Sequence, residues 1–172
     1  MTGSVYSVPP IPPDPEHTTW VPAGGLSIGV EYRLLDEAGI AANYEGRELA
    51  EIRAAVKDRV IQDNGVSIHV VGAHDGHEYL RFDLFEQDPH YHYVEPSGER
   101  QTIVQYDRVA MGDMLPWALH QLRHRLPQML ERAGGSELLA KLDRAEIDSG
   151  LVRVEELARR AERELARGRH AG

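Results

Sequence analysis

The 172-residue chain contains no cysteine. This absence excludes disulfide bonds, cysteine nucleophiles and thiolate-bound zinc, so any metal ion would have to be held by His, Asp or Glu. No apolar run approaches the roughly 20 residues that a membrane-spanning helix needs, and the first residues show no signal-peptide pattern. We therefore expect a soluble, cytoplasmic protein without a membrane partner.

Basic residues are also scarce. Lys and Arg together number 19 against 28 Asp and Glu, which gives a formal net charge of -9. Binding to nucleic-acid phosphates requires clustered basic side chains, so the charge balance argues against a nucleic-acid ligand. The length and the 41% hydrophobic residues predict one globular domain with extensions.

Three segments of the chain differ in composition. Residues 1–24 hold six of the ten prolines and predict an extended arm that does not enter the centre of a sheet. This arm is either loose or held by Trp20 over its own domain or a neighbouring subunit. Residues 25–135 predict an α+β core domain, and residues 136–172 predict a C-terminal helical extension. The last predicted helix, from about Leu151 to Arg167, has a seam of small and apolar residues, which favours packing on its own domain over pairing with another chain.

The core domain begins with a predicted edge strand, Leu26 to Arg33, in which apolar and polar residues alternate. Ile40 to Tyr44 is a candidate for a short return strand. Glu45 to Ile61 has the apolar spacing of an amphipathic helix, and Asn64-Gly65 is a typical helix end. The same Asn-Gly pair would alternatively turn a hairpin from Val60-Ile61.

The stretch from Gly65 to Asp107 predicts four further strands, so the sheet should be an antiparallel meander of four or five strands. After it, a long helix is predicted from Asp113 to Gly134, kinked at Pro127, and then a short helix from Ser136 to Leu142. We expect one helix before the meander and two or three after it, packed on one face of the sheet.

The register of the first hairpin follows from its apolar residues. A three-residue loop, His74-Asp75-Gly76, places Val70 opposite Leu80 and Ile68 opposite Phe82, which puts both apolar sets into one core. His69, Arg81 and Asp83 then lie on the second face.

The next connection decides where the His90-Tyr91-His92 segment points. An even-length connection sends His90 and His92 to the second face, with His92 about level with Asp83, and sends Tyr91 and Tyr93 to the core. An odd-length connection would reverse this arrangement.

His90, His92 and Asp83 form the sharpest candidate site. Alternate residues of a strand project in parallel, and two histidines with one carboxylate suit a divalent metal such as Fe, Mn or Zn while leaving positions open for a substrate. The same side chains also have a plain interpretation, since cross-strand His-Asp pairs stabilise a sheet by about 0.2–1 kcal/mol each. Arg81, Tyr79 and His69 are candidates for binding a small anionic ligand, because a guanidinium group and aromatic walls are typical of such pockets.

Two family resemblances bear on this region. Pro89 to Gly98 resembles the first motif of the cupins, but Glu95 follows His92 by three residues instead of four or five, which is too little to carry over a function. The Arg-Phe-Asp strand at Arg81 and the Pro-His-Tyr-His-Tyr segment at Pro89 resemble an uncharacterised family of small bacterial proteins. That resemblance runs from about Leu26 to Gly134 and implies an α+β domain without a known activity.

Three functions remain open from the sequence. The leading hypothesis is a non-catalytic subunit or interaction module that forms a homo-oligomer or joins a protein complex. The alternatives are a metal-dependent enzyme and a domain that binds a small anionic ligand. Catalytic residues are not assigned, because no serine has a nucleophile-elbow context and no glycine-rich phosphate loop is present. His120 and His124 are interpreted as surface residues.

Overall fold

The computed structural model describes residues 2–56 and 62–170, and its centre is an antiparallel sheet. The seven strands are β1 (Ser4–Tyr6), β2 (Thr18–Ala23), β3 (Leu26–Asp36), β4 (Gln62–Gly72), β5 (Glu78–Phe85), β6 (His90–Val94) and β7 (Gln101–Gln105). Their order across the sheet is β1-β7-β6-β5-β4-β3-β2. The predicted α+β class is confirmed, but the sheet has more strands than the four or five predicted. The two additional strands, β1 and β2, come from the proline-rich arm and form the two edges, so Leu26 to Arg33 is not an edge strand.

Six α-helices and one 3-10 helix accompany the sheet in the described part of the chain. They are α1 (Glu37–Asn43), α2 (Gly46–Val56), α3 (Arg108–Met111), α4 (Met114–His124), α5 (Leu126–Arg132), the 3-10 helix Ser136–Lys141 and α6 (Arg144–His170). The long helix predicted after Asp113 is two helices that meet at Arg125, because Pro127 lacks the N–H group that a continuous helix would need. The last helix begins at Arg144, earlier than predicted.

The predicted pairing of the apolar residues is confirmed. Val70 lies opposite Leu80 and Ile68 opposite Phe82, and Tyr91 lies opposite Val104. Leu80, Phe82 and Val104 belong to one buried core, and Tyr91 packs against it.

The hairpin between β4 and β5 differs from the prediction in one detail. Gly72 donates its N–H to the His77 carbonyl, and Gly76 takes a left-handed φ of 68°, so four residues rather than three form the loop. A β-bulge compensates for the extra residue, since Val71 pairs with Glu78 while Val70 pairs with Leu80.

Two predictions from local signals are wrong. Asn64-Gly65 does not end a helix or turn a hairpin but lies inside β4, where a Cβ atom on Gly65 would approach the Leu84 carbonyl to 2.4 Å. Ile40 to Tyr44 is not a strand, because Asp36 caps helix α1 by accepting a hydrogen bond from the Gly39 N–H at 2.7 Å. The last residues of the predicted Glu45–Ile61 helix, and the Val60-Ile61 start of the alternative hairpin, lie outside the described residues.

Helices α4, α5 and α6 cover one face of the sheet, which we call the apolar face. The core residues that these helices contribute include Leu115, Leu119, Leu122, Leu126, Leu130, Leu151, Val154 and Ala158. The last three belong to α6, so the final helix packs on its own domain, as the sequence favoured.

The opposite face carries charged and polar side chains, and we call it the polar face. Residues 7–17, which we call the strap, cross this face together with α1 and α2. Val8 of the strap is buried in a small cluster with Ile40 and Tyr44.

The strap joins the two edges of the sheet. It leaves β1 beside β7 and reaches β2 beside β3, so it spans six strand spacings, or about 29 Å at about 4.8 Å each. The twelve steps from Tyr6 to Thr18 cover about 37 Å at the polyproline rise of about 3.1 Å per residue. A strap in a compact conformation would be too short to cross the sheet, and the prolines keep it extended.

Trp20 fixes the end of the strap on the polar face. Its ring covers Gly29 of β3, where a Cβ atom would lie only 2.8 Å from the ring. The ring centroid of Trp20 is 6.3 Å from that of His69. The proline-rich arm therefore lies over its own domain, with Trp20 against the sheet.

Candidate metal centre

Pleat alternation brings the three predicted metal ligands together on the polar face. Asp83 of β5 lies directly opposite His90 of β6, and Arg81 lies opposite His92. His92 is therefore two residues further along β5 than expected, but its ring reaches back diagonally to the Asp83 carboxylate.

One carboxylate oxygen is shared by both rings. Asp83 Oδ2 lies 2.8 Å from His92 Nε2 and 3.3 Å from His90 Nε2. Potential ligand atoms of these residues all lie within 4.8 Å of one another. Atoms bound about 2.1 Å from one ion are about 3.0–3.4 Å apart in octahedral or tetrahedral geometry, so small shifts would seat a divalent ion.

A chain of hydrogen bonds fixes which nitrogen of His92 carries a proton. The Val8 carbonyl accepts from Gln101 Nε2 at 3.0 Å, and this contact turns Gln101 Oε1 toward His92. That oxygen lies 2.6 Å from His92 Nδ1 and needs a proton there. A neutral His92 ring therefore has a bare lone pair on Nε2, aimed at Asp83.

His90 and Asp83 are oriented in the same way. His90 Nδ1 faces the Asp88 carbonyl at 2.6 Å, so it too is a donor. Ser67 donates its hydroxyl proton to Asp83 Oδ1 and leaves Oδ2 for the rings. Such outer hydrogen bonds are the means by which metal-binding proteins fix the tautomer and direction of their ligands.

Burial and pairing set the charges of the three groups. Burial by itself would raise the pKa of Asp83, but the hydrogen bond from His90, with the neighbouring His92 ring, holds that pKa well below its usual value. Burial lowers the pKa of His92. Burial also acts to lower the pKa of His90, but the hydrogen bond to Asp83 outweighs it and raises that pKa. An ionised Asp83 and a neutral His92 are the forms in which these residues bind metals.

The side chains at this site are almost fully enclosed. The exposed fraction is 3% for Asp83, 6% for His92 and 12% for His90. Phe85 packs edge-on against His90, and the strap approaches from the side of Gln101. Solvent therefore reaches the cluster mainly along His90.

A second buried network lies beside the first. His69 Nε2 is 2.7 Å from Glu31 Oε2, and His69 Nδ1 is 2.5 Å from Glu78 Oε1. Arg33 forms two hydrogen bonds with Glu31, and Arg81 forms two with Glu78. The row therefore alternates basic and acidic side chains from β3 to β5.

The three residues predicted to bind an anion are not brought together. His69 and Arg81 share Glu78, but the Tyr79 ring packs against Gly135 in the helix layer, and its hydroxyl donates to Asp75 at 2.8 Å. The β-bulge explains the position of Tyr79, because it turns Glu78 instead of Tyr79 toward the polar face. Arg81 is buried, and its Nε and Nη2 atoms already bond to Glu78 and the Ile11 carbonyl.

The sequence interpretation missed Glu31, Glu78 and Gln101 as members of these networks. The alternation of β3 already placed Glu31 on the second face, and Gln101 lies one strand beyond the histidines. Glu78 could not be found by counting, because the bulge reverses its side. His120 and His124 stack at 4.5 Å between ring centroids on α4 and remain exposed.

The fold and site define an α+β domain with a His/Asp cluster on one face of an antiparallel sheet. Residues 20–158 match a family described as a domain of unknown function (DUF7700), and the chain belongs to that family. This result agrees with the predicted resemblance to an uncharacterised family. No curated protein and no solved structure matches the chain. Within the described residues, no helix combines the length and apolar character needed to cross a membrane.

Proposed function

We propose that this protein binds one divalent transition-metal ion through Asp83, His90 and His92. The proposal rests on the Nε2 atoms of His90 and His92, which both point at one carboxylate oxygen of Asp83. The Nδ1 atoms of the two rings face oxygen atoms that can only accept hydrogen bonds. Without a cation, a neutral His92 directs a lone pair at a carboxylate. An ion placed between these atoms turns that repulsion into coordination.

The ligand set favours a site of the catalytic type. Two imidazoles and one carboxylate suit Zn, Fe or Mn, and three protein ligands leave positions for water or a substrate. Structural zinc sites instead use four protein ligands. The function supported best is therefore that of a metal-binding domain with open coordination positions, as in a metal-dependent enzyme.

The test is metal binding to chelator-treated full-length protein, titrated separately with Zn, Mn and anaerobic Fe(II) in a calorimeter. We expect one equivalent of at least one metal to bind. His92→Ala should lower the affinity by about 100-fold or more, since the loss of a ligand should exceed the effect of losing an outer hydrogen bond.

The double variant His120→Ala/His124→Ala is the matched control, because it removes two histidines that lie close together on the surface. It should leave the affinity of the buried site unchanged. If instead this control abolishes binding while His92→Ala does not, the metal is held on the surface of α4 and the proposal is wrong.

A further inference from the structure

Over residues 8–13, the hydrogen bonds between the strap and the polar face run in one direction, whereas at its two ends Ser7 and Asp14 donate their N–H groups to Glu51 and Glu31. Four buried side chains donate to four successive parts of the strap backbone. The contacts are those of Gln101 with the carbonyl of Val8 (3.0 Å), Tyr44 with Pro9 (2.6 Å), Arg81 with Ile11 (2.6 Å) and Arg33 with Pro12 (3.0 Å). Among the described residues, no N–H group of residues 8–13 donates to the face in return.

The part of the face under residues 8–13 offers donors to the strap, and this fits a proline-rich segment. Proline has no N–H group, and residues 8–13 retain only two, those of Val8 and Ile11. An extended polyproline backbone makes no internal hydrogen bonds, so its carbonyls are free to accept. The donors of the face and the acceptors of the strap are therefore complementary in type.

The charges on the face favour a neutral acceptor over an anion. The Arg33 guanidinium is paired with Glu31 at 2.9 Å, and that of Arg81 is paired with Glu78 at 2.7 Å. A phosphate or carboxylate ligand would bring negative charge beside two buried carboxylates, which is costly at short range. Backbone carbonyls meet the remaining donors without that cost.

The family match includes the donor side chains but not the strap. Residues 20–158 define the family, and they include all four donor side chains. The carbonyls that accept these hydrogen bonds belong to residues 8–12, outside the matched region. The donor face is thus part of the family's domain, whereas the strap precedes it.

We propose that the polar face is a docking site for an extended proline-rich segment of a partner protein, and that the strap fills this site as a tethered ligand. The segment adds a short strand to β7, as Ser4–Tyr6 does, and then crosses the face in the polyproline conformation. These are two established modes of peptide recognition used in sequence. The proposal does not depend on metal binding.

The experiment separates the strap from the domain without removing it. A site-specific protease sequence is inserted in the exposed turn at Pro15–His17, and the folded full-length chain is cut there. A fluorescent peptide of residues 2–14 is then titrated while its anisotropy is followed. We expect saturable one-to-one binding to the cut protein and at least about 100-fold weaker binding to the uncut protein, because the tethered strap competes at an effective concentration near the millimolar range.

Three variants test the chemistry of the contact. A peptide with Ala at its four prolines should bind at least about tenfold more weakly, because it gains N–H groups and loses its extended preference. Tyr44→Phe in the domain should weaken binding about two- to tenfold through loss of one hydrogen bond. Tyr91→Phe, on the apolar face, is the matched control and should leave binding unchanged.

Two results would overturn the proposal. A cut strap that does not exchange with excess labelled peptide, or a cut chain that loses its folded circular dichroism spectrum, would make the strap an integral part of the fold. Equal binding of the proline and alanine peptides would remove the basis for polyproline recognition.

Discussion

The face of the sheet under α4, α5 and α6 is packed with aliphatic and aromatic side chains, whereas the face under the strap buries eight polar or charged ones. Burial of apolar surface is favourable at about 25 cal/mol per Å² and does not depend on exact geometry. Burial of charge is costly unless every group finds a partner. The apolar face therefore stabilises the fold, while the polar face demands a specific arrangement.

The polar face meets that demand. Among the described residues, one buried side-chain nitrogen or oxygen lacks a polar neighbour, and this atom, His77 Nε2, lies in the turn between β4 and β5. On the polar face each ionisable side chain has at least one partner of opposite type. Leucine at these positions would stabilise the fold about as well, so stability alone does not account for the polar face, and its composition fits the binding functions proposed above.

The largest expected loss of stability comes from a substitution on the polar face. Glu78→Leu should lower the free energy of unfolding by about 3–5 kcal/mol, because it leaves the buried Arg81 guanidinium without its carboxylate. Urea unfolding followed by circular dichroism measures the change. Adding Arg81→Met to this variant should recover at least about 1 kcal/mol, since the unpaired charge is then removed.

Glu164→Leu is the matched control, since Glu164 forms an exposed ion pair with Arg160 on α6. It should change the free energy of unfolding by about 0.5 kcal/mol or less. Equal effects of the two Glu→Leu variants would contradict the difference drawn between buried and exposed charges.

On the apolar face, Leu122→Ala should cost about 2–5 kcal/mol through lost burial and the cavity left behind. Val152→Ala, at an exposed position of α6, should stay within about 0.5 kcal/mol. Metal affinity of the folded Leu122→Ala protein, measured by the same calorimetry, should be unchanged within about twofold. A large loss of affinity would show that the two faces are not independent.

A smaller effect on metal affinity is expected at Gln101, which contacts a proposed metal ligand without being one. Gln101→Leu removes the acceptor for His92 Nδ1 and should weaken metal binding by about 10–100-fold. Gln105→Leu, at an exposed position of the same strand, should have no effect on affinity. If both variants bind metal like the unchanged protein, the hydrogen bond does not fix the ligand tautomer.

The smallest effect depends on acidity. Burial acts to raise the pKa values of Glu31 and Glu78, but His69 and the neighbouring arginines outweigh it and lower both. Because the folded pKa values lie below the unfolded value of about 4.3, these groups contribute stability that is fully present above about pH 5 and is lost as the pH falls through the folded values. The urea concentration at which half of the protein is unfolded should therefore decrease as the pH is lowered below about 4.5. Glu31→Gln should make stability depend less steeply on pH in this range. An unchanged pH dependence would contradict the conclusion that Glu31 has a lowered pKa in the folded protein.

Much of the fold was predictable because strand periodicity is local. The alternation in β4, β5 and β6 determines which side chains share a face, and so it placed His90, His92 and Asp83 together before the structure was known. What could not be predicted depends on contacts between distant residues. Asn64-Gly65 has the local signal of a turn, but the close approach of the Leu84 carbonyl keeps it in a strand.

The two edge strands and the path of the strap were equally beyond local reasoning. The prolines predict an extended segment, but the choice of face is made by Gln101, Tyr44 and Arg81, which lie far away in sequence. The bulge that moves Glu78 onto the polar face is likewise a consequence of packing in the hairpin. The His/Asp cluster was thus predictable from strand spacing with an even-length connection after β5, whereas its hydrogen-bonded surroundings were not.

The route of the strap also sets the order in which the molecule can assemble. Val8 contacts Gln101, 93 positions later, and Ile11 contacts Arg81, 70 positions later, whereas strands β2 to β7 pair in consecutive order along the chain. Contacts between distant positions form slowly because a long loop must close first. Residues 4–8, although they are made before the sheet, therefore reach their final place only after β7 has been synthesised and joined to the sheet. Until then, the newly made domain leaves exposed the side chains that the strap covers, among them Arg81 and Gln101.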